Sequence, residues 1–316
     1  MAQPAEIFAL LDRRVAALKK ARPELEAAIA LQELLVRTAS SAARPPEVAP
    51  FPLPRELVTA RVRQGVPLLH DQPASVDIHF AADLFSRLVN VLQQREDEQT
   101  VPRLQALVDA ATRGGLDPQQ LFTEAFVQHR EHVAEMAALS GVDADLLITL
   151  AGQSVAPLSR AYAERLLPAI ERVDDASPSG ASWQPGYCPV CGAWPLMAEL
   201  RGVELAQFLR CSACGSGWRS RRILCTYCGN DDFRDLRTLQ VEDELRFRLA
   251  VCERCKGYLK IGNAFDPPPA ELLPLDDLAS VHLDVAAIER GYRRPEGSGF
   301  ALELAVPEAE WVEELA

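Results

Sequence analysis

The stretch that decides the fold runs from Tyr187 to Lys260 and reads YCPVCGAWP (187–195), CSACGSGW (211–218), CTYCGN (225–230) and CERCKGYLK (252–260). All eight cysteines of the 316-residue chain lie here, and each belongs to a Cys-x-x-Cys pair. Such a pair folds into a knuckle that aims two sulfurs at one metal ion. Glycine follows the second cysteine at Gly192, Gly215 and Gly229, where it permits a left-handed backbone. The fourth knuckle has Lys256 at that place and Gly257 one residue later, so its turn is expected to differ.

Four pairs make two sets of four thiolates. Nineteen residues separate Cys191 from Cys211, and 23 separate Cys228 from Cys252, each enough for a β-hairpin. This groups Cys188, Cys191, Cys211 and Cys214 as site one, and Cys225, Cys228, Cys252 and Cys255 as site two. A rival grouping joins the two middle pairs and leaves the outer pairs to each other. It needs a more entangled path, and spacing alone leaves it open. A ribbon of about 40 residues buries too little apolar surface to fold by itself. A structural metal contributes on the order of 10 kcal/mol to such a unit. Four thiolates also fill a tetrahedral sphere, which argues against metal–water chemistry. A thioredoxin-type dithiol needs a strand–helix junction in an α/β pattern, and none surrounds these pairs. Tetrathiolate accepts zinc or iron.

Outside this region the chain reads differently. Residues 1–173 show helical spacing of apolar residues, as in Ile7, Leu10, Leu11, Val15 and Leu18, or Ile78, Ala82, Phe85, Leu88, Val89 and Leu92. Asp117-Pro118 reads as an N-cap with proline at the first helical position, opening a helix to about Leu139. A further helix spans about Asp143 to Arg172, with a bend expected at Pro157. The whole is an all-α bundle of about six helices, with a proline-rich connector at 43–54. Short strands follow at Leu196–Leu200, Leu205–Cys211, Gly217–Leu224, Arg237–Leu239 and Leu245–Val251, and a strand-like piece at Phe300–Val306. The expected fold is α+β: a helical bundle (1–173), a linker (174–186), a first metal ribbon of rubredoxin or zinc-ribbon type (187–222) and a second (223–265). A tail (266–316) is expected to pack back on the bundle through Leu302, Leu304 and Val306.

The net charge is −12, so a phosphate backbone is a poor partner and no nucleic acid is expected. From Trp183 to Asn263 there are 12 Lys or Arg against 9 Asp or Glu, a balance of +3, which leaves −15 elsewhere. Arg210, Arg219, Arg221 and Arg222 are read first as counter-charge for the thiolates and second as a docking patch. No secretory h-region and no run of about 18 apolar residues occurs, so neither export nor membrane insertion is expected. A cytoplasmic location follows, where disulfides are rare. His129 and His132 stand at i, i+3 and could share a metal; without a nearby carboxylate pattern they read as ordinary helix residues. No catalytic motif is present, and an enzyme is not expected.

In the order of its elements, the chain resembles the formate dehydrogenase accessory protein FdhE family. The resemblance rests on the helical first half, the four cysteine motifs, and the tail residues Leu275 to Ala279, His282 to Asp284 and Gly291-Tyr292. It implies a cytoplasmic assembly factor for respiratory formate dehydrogenase, acting on the catalytic subunit through paired rubredoxin-type folds. It also implies the eight cysteines as ligands of two metal ions, with iron favoured and zinc as the alternative. Competing functions are a nucleic-acid-binding zinc ribbon and a rubredoxin-like electron carrier.

Overall fold

The computed structural model describes residues 4–41, 48, 53–95, 100–175, 182–241 and 246–305. Helices α1 (Pro4–Ala21) and α2 (Glu26–Ser41) form an antiparallel pair. They are followed by α3 (Arg55–Gln64), α4 (Ile78–Gln93), α5 (Thr100–Thr112), α6 (Pro118–Phe126), α7 (Arg130–Ser140) and α8 (Ala144–Asp175). Local chemistry sets several ends. Asp77 and Asp117 accept N-cap bonds from Phe80 and Gln119, and Gly65 and Gly141 close α3 and α7 in left-handed conformation. The long α8 spans both Pro157 and Pro168 and carries the centre of the core, with Leu147, Leu150, Val155, Leu158, Tyr162 and Ile170 buried. Phe85, Phe122 and Phe126 pack beside it.

The eight helices described before the cysteines exceed the expected six, and the reason is partly local. The helix expected from Pro118 to Leu139 breaks at Val127–His129, where Gln128 turns left-handed (φ 65°). The proline-rich connector at 43–54 and the start of the 174–186 segment fall mostly outside the described residues.

The cysteine region builds one six-stranded sheet: β1 (Pro195–Arg201), β2 (Ala206–Cys211), β3 (Gly217–Arg219), β4 (Leu236–Leu239), β5 (Phe247–Cys252) and β6 (Tyr258–Asn263). The spatial order is β3-β2-β1-β6-β5-β4. Each half is an antiparallel set of three, and the halves join through a short parallel pair, Ala198 with Ile261 to Leu200 with Asn263. The two ribbons therefore share a continuous sheet. This α+β architecture of a helical first half and two tetracysteine ribbons is the one the sequence predicts. The expected strand at Gly217–Leu224 stops at Arg219, and β6 is a strand that the sequence pattern did not reveal.

Two short helices, α9 (Leu273–Ala279) and α10 (Val281–Glu289), cover the second half of the sheet. Leu273, Leu283, Ala287 and Tyr292 close over Phe247, Leu249, Val251 and Tyr258. On its other side α9 meets the α1–α2 pair, where Leu275 joins Leu11 and Ile29 in a core and Arg14 bonds Asp276 at 2.8 Å. Beyond α10 the chain returns to the bundle. Leu302 is fully buried in the main core, and Asp71 N–H donates to the Glu303 carbonyl at 3.0 Å. Residues 301–305 form no strand, in contrast to the expected Phe300–Val306; they run alongside 70–72 with single bonds. Val306 lies outside the described residues.

Lys260 explains both the hidden strand and the grip of α9 and α10. Its side chain is 0% exposed, and Nζ lies 2.7 Å from Asp277 and 2.6 Å from Asp284. Arg294 bonds the same two carboxylates at 3.0 and 2.8 Å, and Tyr258 donates to Asp284 at 2.9 Å. Removing Lys260 leaves the partly buried Asp277 and Asp284 with Arg294 as their remaining cation and a cavity where the buried side chain stood. Lys260→Ala is expected to lower unfolding free energy by about 3 kcal/mol, the low end of the range for such a loss because Arg294 remains. Urea denaturation checks this; a variant of unchanged midpoint would refute the role given to Lys260.

Candidate metal centres

All four knuckles close in the same way. The N–H of the first cysteine donates to the carbonyl five residues on: Cys188 to Ala193, Cys211 to Ser216, Cys225 to Asn230 and Cys252 to Gly257, at 2.7–3.0 Å. Gly192, Gly215 and Gly229 take the left-handed backbone that this turn demands. Lys256 takes it too (φ 56°), so the fourth knuckle keeps the shape of the others with a strained residue where they have glycine. A backbone contact holds it there, because Arg293 N–H donates to the Lys256 carbonyl at 2.8 Å.

Cys188, Cys191, Cys211 and Cys214 converge in one group and Cys225, Cys228, Cys252 and Cys255 in another. The rival grouping by middle and outer pairs is not the one adopted. All eight are free thiols rather than disulfides. In the first group the sulfurs of Cys188 and Cys214 are 3.7 Å apart, those of Cys191 and Cys211 3.5 Å, and those of Cys191 and Cys214 3.7 Å. In the second, Cys225 and Cys255 are 3.6 Å apart and Cys228 and Cys252 3.9 Å. Four sulfurs each about 2.3 Å from a central ion at tetrahedral angles stand about 3.8 Å apart. Both groups therefore have the spacing of a tetrathiolate cage.

The charge of the first group fits a cation as well. Cys214 is held well below the ordinary thiol value by hydrogen bonding with Cys188 first, then with Cys191 and Cys211, and Ser216 adds to it. Cys191 is driven well above that value by its bonding with Cys188, and Cys211 by burial. One thiolate forms readily, and the next find no counter-charge. Arg210, the expected counter-charge, is instead paired with Glu199 at 2.7 Å, and Arg219, Arg221 and Arg222 are exposed. Arg160 of α8, whose charge reaches Cys214, is already paired with Glu271 at 3.5 Å. A divalent ion at the centre would supply what the protein lacks.

The two groups differ in their surroundings. All four sulfur residues of site one are buried, whereas Cys228 and Cys255 of site two are exposed. The cause is contact with the bundle and tail. Leu68 and Leu69 N–H groups donate to the Pro189 and Val190 carbonyls at 2.9 and 3.0 Å. Gln128 Nε2 donates to the Cys191 carbonyl at 3.0 Å, and Gly299 and Phe300 N–H groups to the Gly192 carbonyl at 2.9 and 3.1 Å. Ser216 Oγ lies 3.2 Å from the Cys188 sulfur and 3.0 Å from that of Cys214. Around site two, Asn230 Nδ2 lies 3.9 Å from the Cys252 sulfur and the Gly257 N–H donates to Cys255 at 3.3 Å, and the further N–H groups on Cys225 and Cys252 come from the knuckles themselves.

Comparison with known proteins follows the same cysteine region. A family model described as FdhE, C-terminal domain, matches residues 223–300. Residues 223–300 are thus similar to the C-terminal domain of FdhE. It is 37% identical over 120 residues to an FdhE homolog of Aquifex aeolicus, covering 36% of this chain and 41% of that protein. It is 34% identical over 110 residues to an FdhE homolog of Haemophilus influenzae (34% and 36% covered), and 33% over 111 residues to Protein FdhE of Escherichia coli (34% and 35%). The match thus spans less than half the length of these curated relatives. The crystal structure of FdhE from Pseudomonas aeruginosa superposes with a TM-score of 0.57 at 22% identity over 95% of this chain and 97% of that one, which shows a shared fold. The resemblance to FdhE read from the motifs is borne out.

Sequence reasoning missed Gln128, Ser216 and Leu68-Leu69 as supports of site one. Ser216 was within reach, two residues beyond Cys214; the others act across the fold and leave no local signal. The difference in burial has a kinetic consequence. In excess chelator, the metal-loaded protein should release its two cysteine-bound ions in two phases of equal amplitude. Cys228→Ser should abolish the fast phase and keep the slow one. Loss of both ions in a single phase would contradict the asymmetry.

Proposed function

We infer that this chain is a cytoplasmic assembly factor for respiratory formate dehydrogenase rather than an enzyme. Its eight cysteines hold two metal ions, one per group, of iron or zinc. The ribbon at 187–222 is the fixed part, seated on the bundle, and the ribbon at 223–265 is the part offered to the enzyme's catalytic subunit. Among the described residues no helix is long and apolar enough to cross a membrane.

One observation carries this reading: the segment that matches the FdhE model, 223–300, is also the segment that stays open. It contains the exposed sulfur edge of site two and most of an adjoining cleft of about 390 Å³. Leu224, Tyr227, Leu236 and Leu259 line that cleft, and Arg222, Arg237 and Arg248 supply positive charge. Two large apolar side chains of the lining stand in solvent, Ile223 at 59% exposure and Phe233 at 73%. An apolar floor with exposed apolar side chains is the usual form of a protein-docking surface. Closed tetrathiolate spheres leave no position for a substrate, which supports a binding role over a catalytic one.

The exposed sulfurs of site two favour one second reading, transfer of an electron to or from the client when the ion is iron. Colour separates the cases, since ferric tetrathiolate is red and the zinc form colourless; bleaching by a reductant without effect on client maturation would remove electron transfer from the role.

The docking reading is tested by capture of the catalytic subunit with Ile223→Asp/Phe233→Asp. Both side chains are exposed, so metal content and helicity should stay at the wild-type level while capture falls at least about tenfold, the equivalent of 1.4 kcal/mol. Undiminished capture by a well-folded variant would refute this docking surface.

A further inference from the structure

A third cluster of metal-ligating side chains lies apart from the cysteines, at the break between α6 and α7. Glu124 lies in the last turn of α6, His129 caps α7, and His132 lies in its first turn. The Nδ1 atoms of His129 and His132 stand 2.8 and 2.9 Å from the same oxygen, Glu124 Oε2. The two rings are 5.1 Å apart and nearly perpendicular, at 77°. One donor atom from each of the three residues falls within 4.8 Å of the others. From this geometry we propose that Glu124, His129 and His132 bind a divalent first-row transition-metal ion.

The spacing supports it. Two donor atoms each about 2.1 Å from one ion stand about 3.0 Å apart at octahedral angles and about 3.4 Å apart at tetrahedral ones. The observed 2.8 and 2.9 Å separations are imidazole–carboxylate hydrogen bonds, which an ion would replace as the donor atoms move apart by a few tenths of an ångström. The donor set is also selective in kind. Two imidazoles and one carboxylate suit iron(II), nickel or zinc, and three protein ligands leave further coordination positions open. Those positions have room, because the histidines line a cleft of about 830 Å³ bounded across from them by Pro295, Glu296 and Ser298. His132 is more than half exposed and Glu124 about one-fifth exposed, so an ion reaches the cluster without unfolding.

The backbone holds the three residues in place. A continuous helix would carry His129 round to another face. The left-handed Gln128 prevents that, and the Gln128 side chain is anchored on the Cys191 carbonyl of site one. A left-handed backbone is strained for a non-glycine residue, and such strain collects at functional positions.

The experiment uses the full chain with both cysteine groups loaded with zinc, freed of excess metal and titrated with zinc in a calorimeter. The expected result is one further ion per chain, with His129→Ala/His132→Ala and Glu124→Gln each weakening it by at least about 10–100-fold, the scale of losing a ligand-shell partner. Both variants should keep helicity and their two thiolate-bound ions, which separates loss of this site from loss of fold. Absence of the third ion in the wild type would overturn the proposal. So would its persistence in the histidine variant, which would place the ion elsewhere. Binding only at millimolar zinc would show an adventitious contact and overturn it as well.

Discussion

The backbone of Cys188–Gly192 is bonded from two directions, and the relation between the halves of the molecule follows from that. Its carbonyls at Pro189, Val190, Cys191 and Gly192 accept from the loop after α3, from Gln128 and from the tail. Buried carbonyls without partners are costly, so the knuckle and the bundle need each other. Arg61 secures the bundle's side of this contact, with its guanidinium donating to the Pro67 and Leu68 carbonyls at 3.1 Å. The sheet is thus fastened to the helices at the first cage and, through α9, at the α1–α2 pair, and the parallel β1–β6 pair joins the two ribbons between them.

One cage serves as an anchor and the other as a presented surface, although the four knuckles share one closing bond. What separates them is tertiary packing rather than the motif itself. Trp194 stacks edge-on against Tyr227 at 5.3 Å, so an aromatic contact also runs between the first and third knuckles. The Lys260–Asp277–Asp284–Arg294 group then locks α9 and α10 over the second ribbon. These helices leave the sheet's cleft near Phe233 and Ile223 uncovered. Fixed support on one side and an open, partly apolar surface on the other suit a protein that holds a client.

The cysteine grouping was legible because its cause is local: short spacings make knuckles, and intervals of about twenty residues make hairpins. The helical half was legible from apolar periodicity and from caps such as Asp117-Pro118. What stayed hidden depends on contacts distant in sequence. β6 was masked because Lys260 puts a charge in the middle of an apolar strand, and its partners Asp277 and Asp284 come from the tail. Glutamine has no preference for left-handed backbone, so nothing local marked the break at Gln128; a bond to Cys191 fixes it. For the same reason His129 and His132 read as ordinary helix residues, since the intact helix expected there would not bring them to Glu124. The arginines misled in the opposite way: Arg210 serves Glu199, not the thiolates.

The most direct measurement counts thiols and metal together. Natively folded protein, purified without added metal, is treated with a thiol-reactive reagent while released metal is followed. The account requires eight cysteines protected at the start, and their exposure in step with the release of two ions. Folded protein that carries no metal at its cysteines, with all eight thiols unliganded, would contradict it.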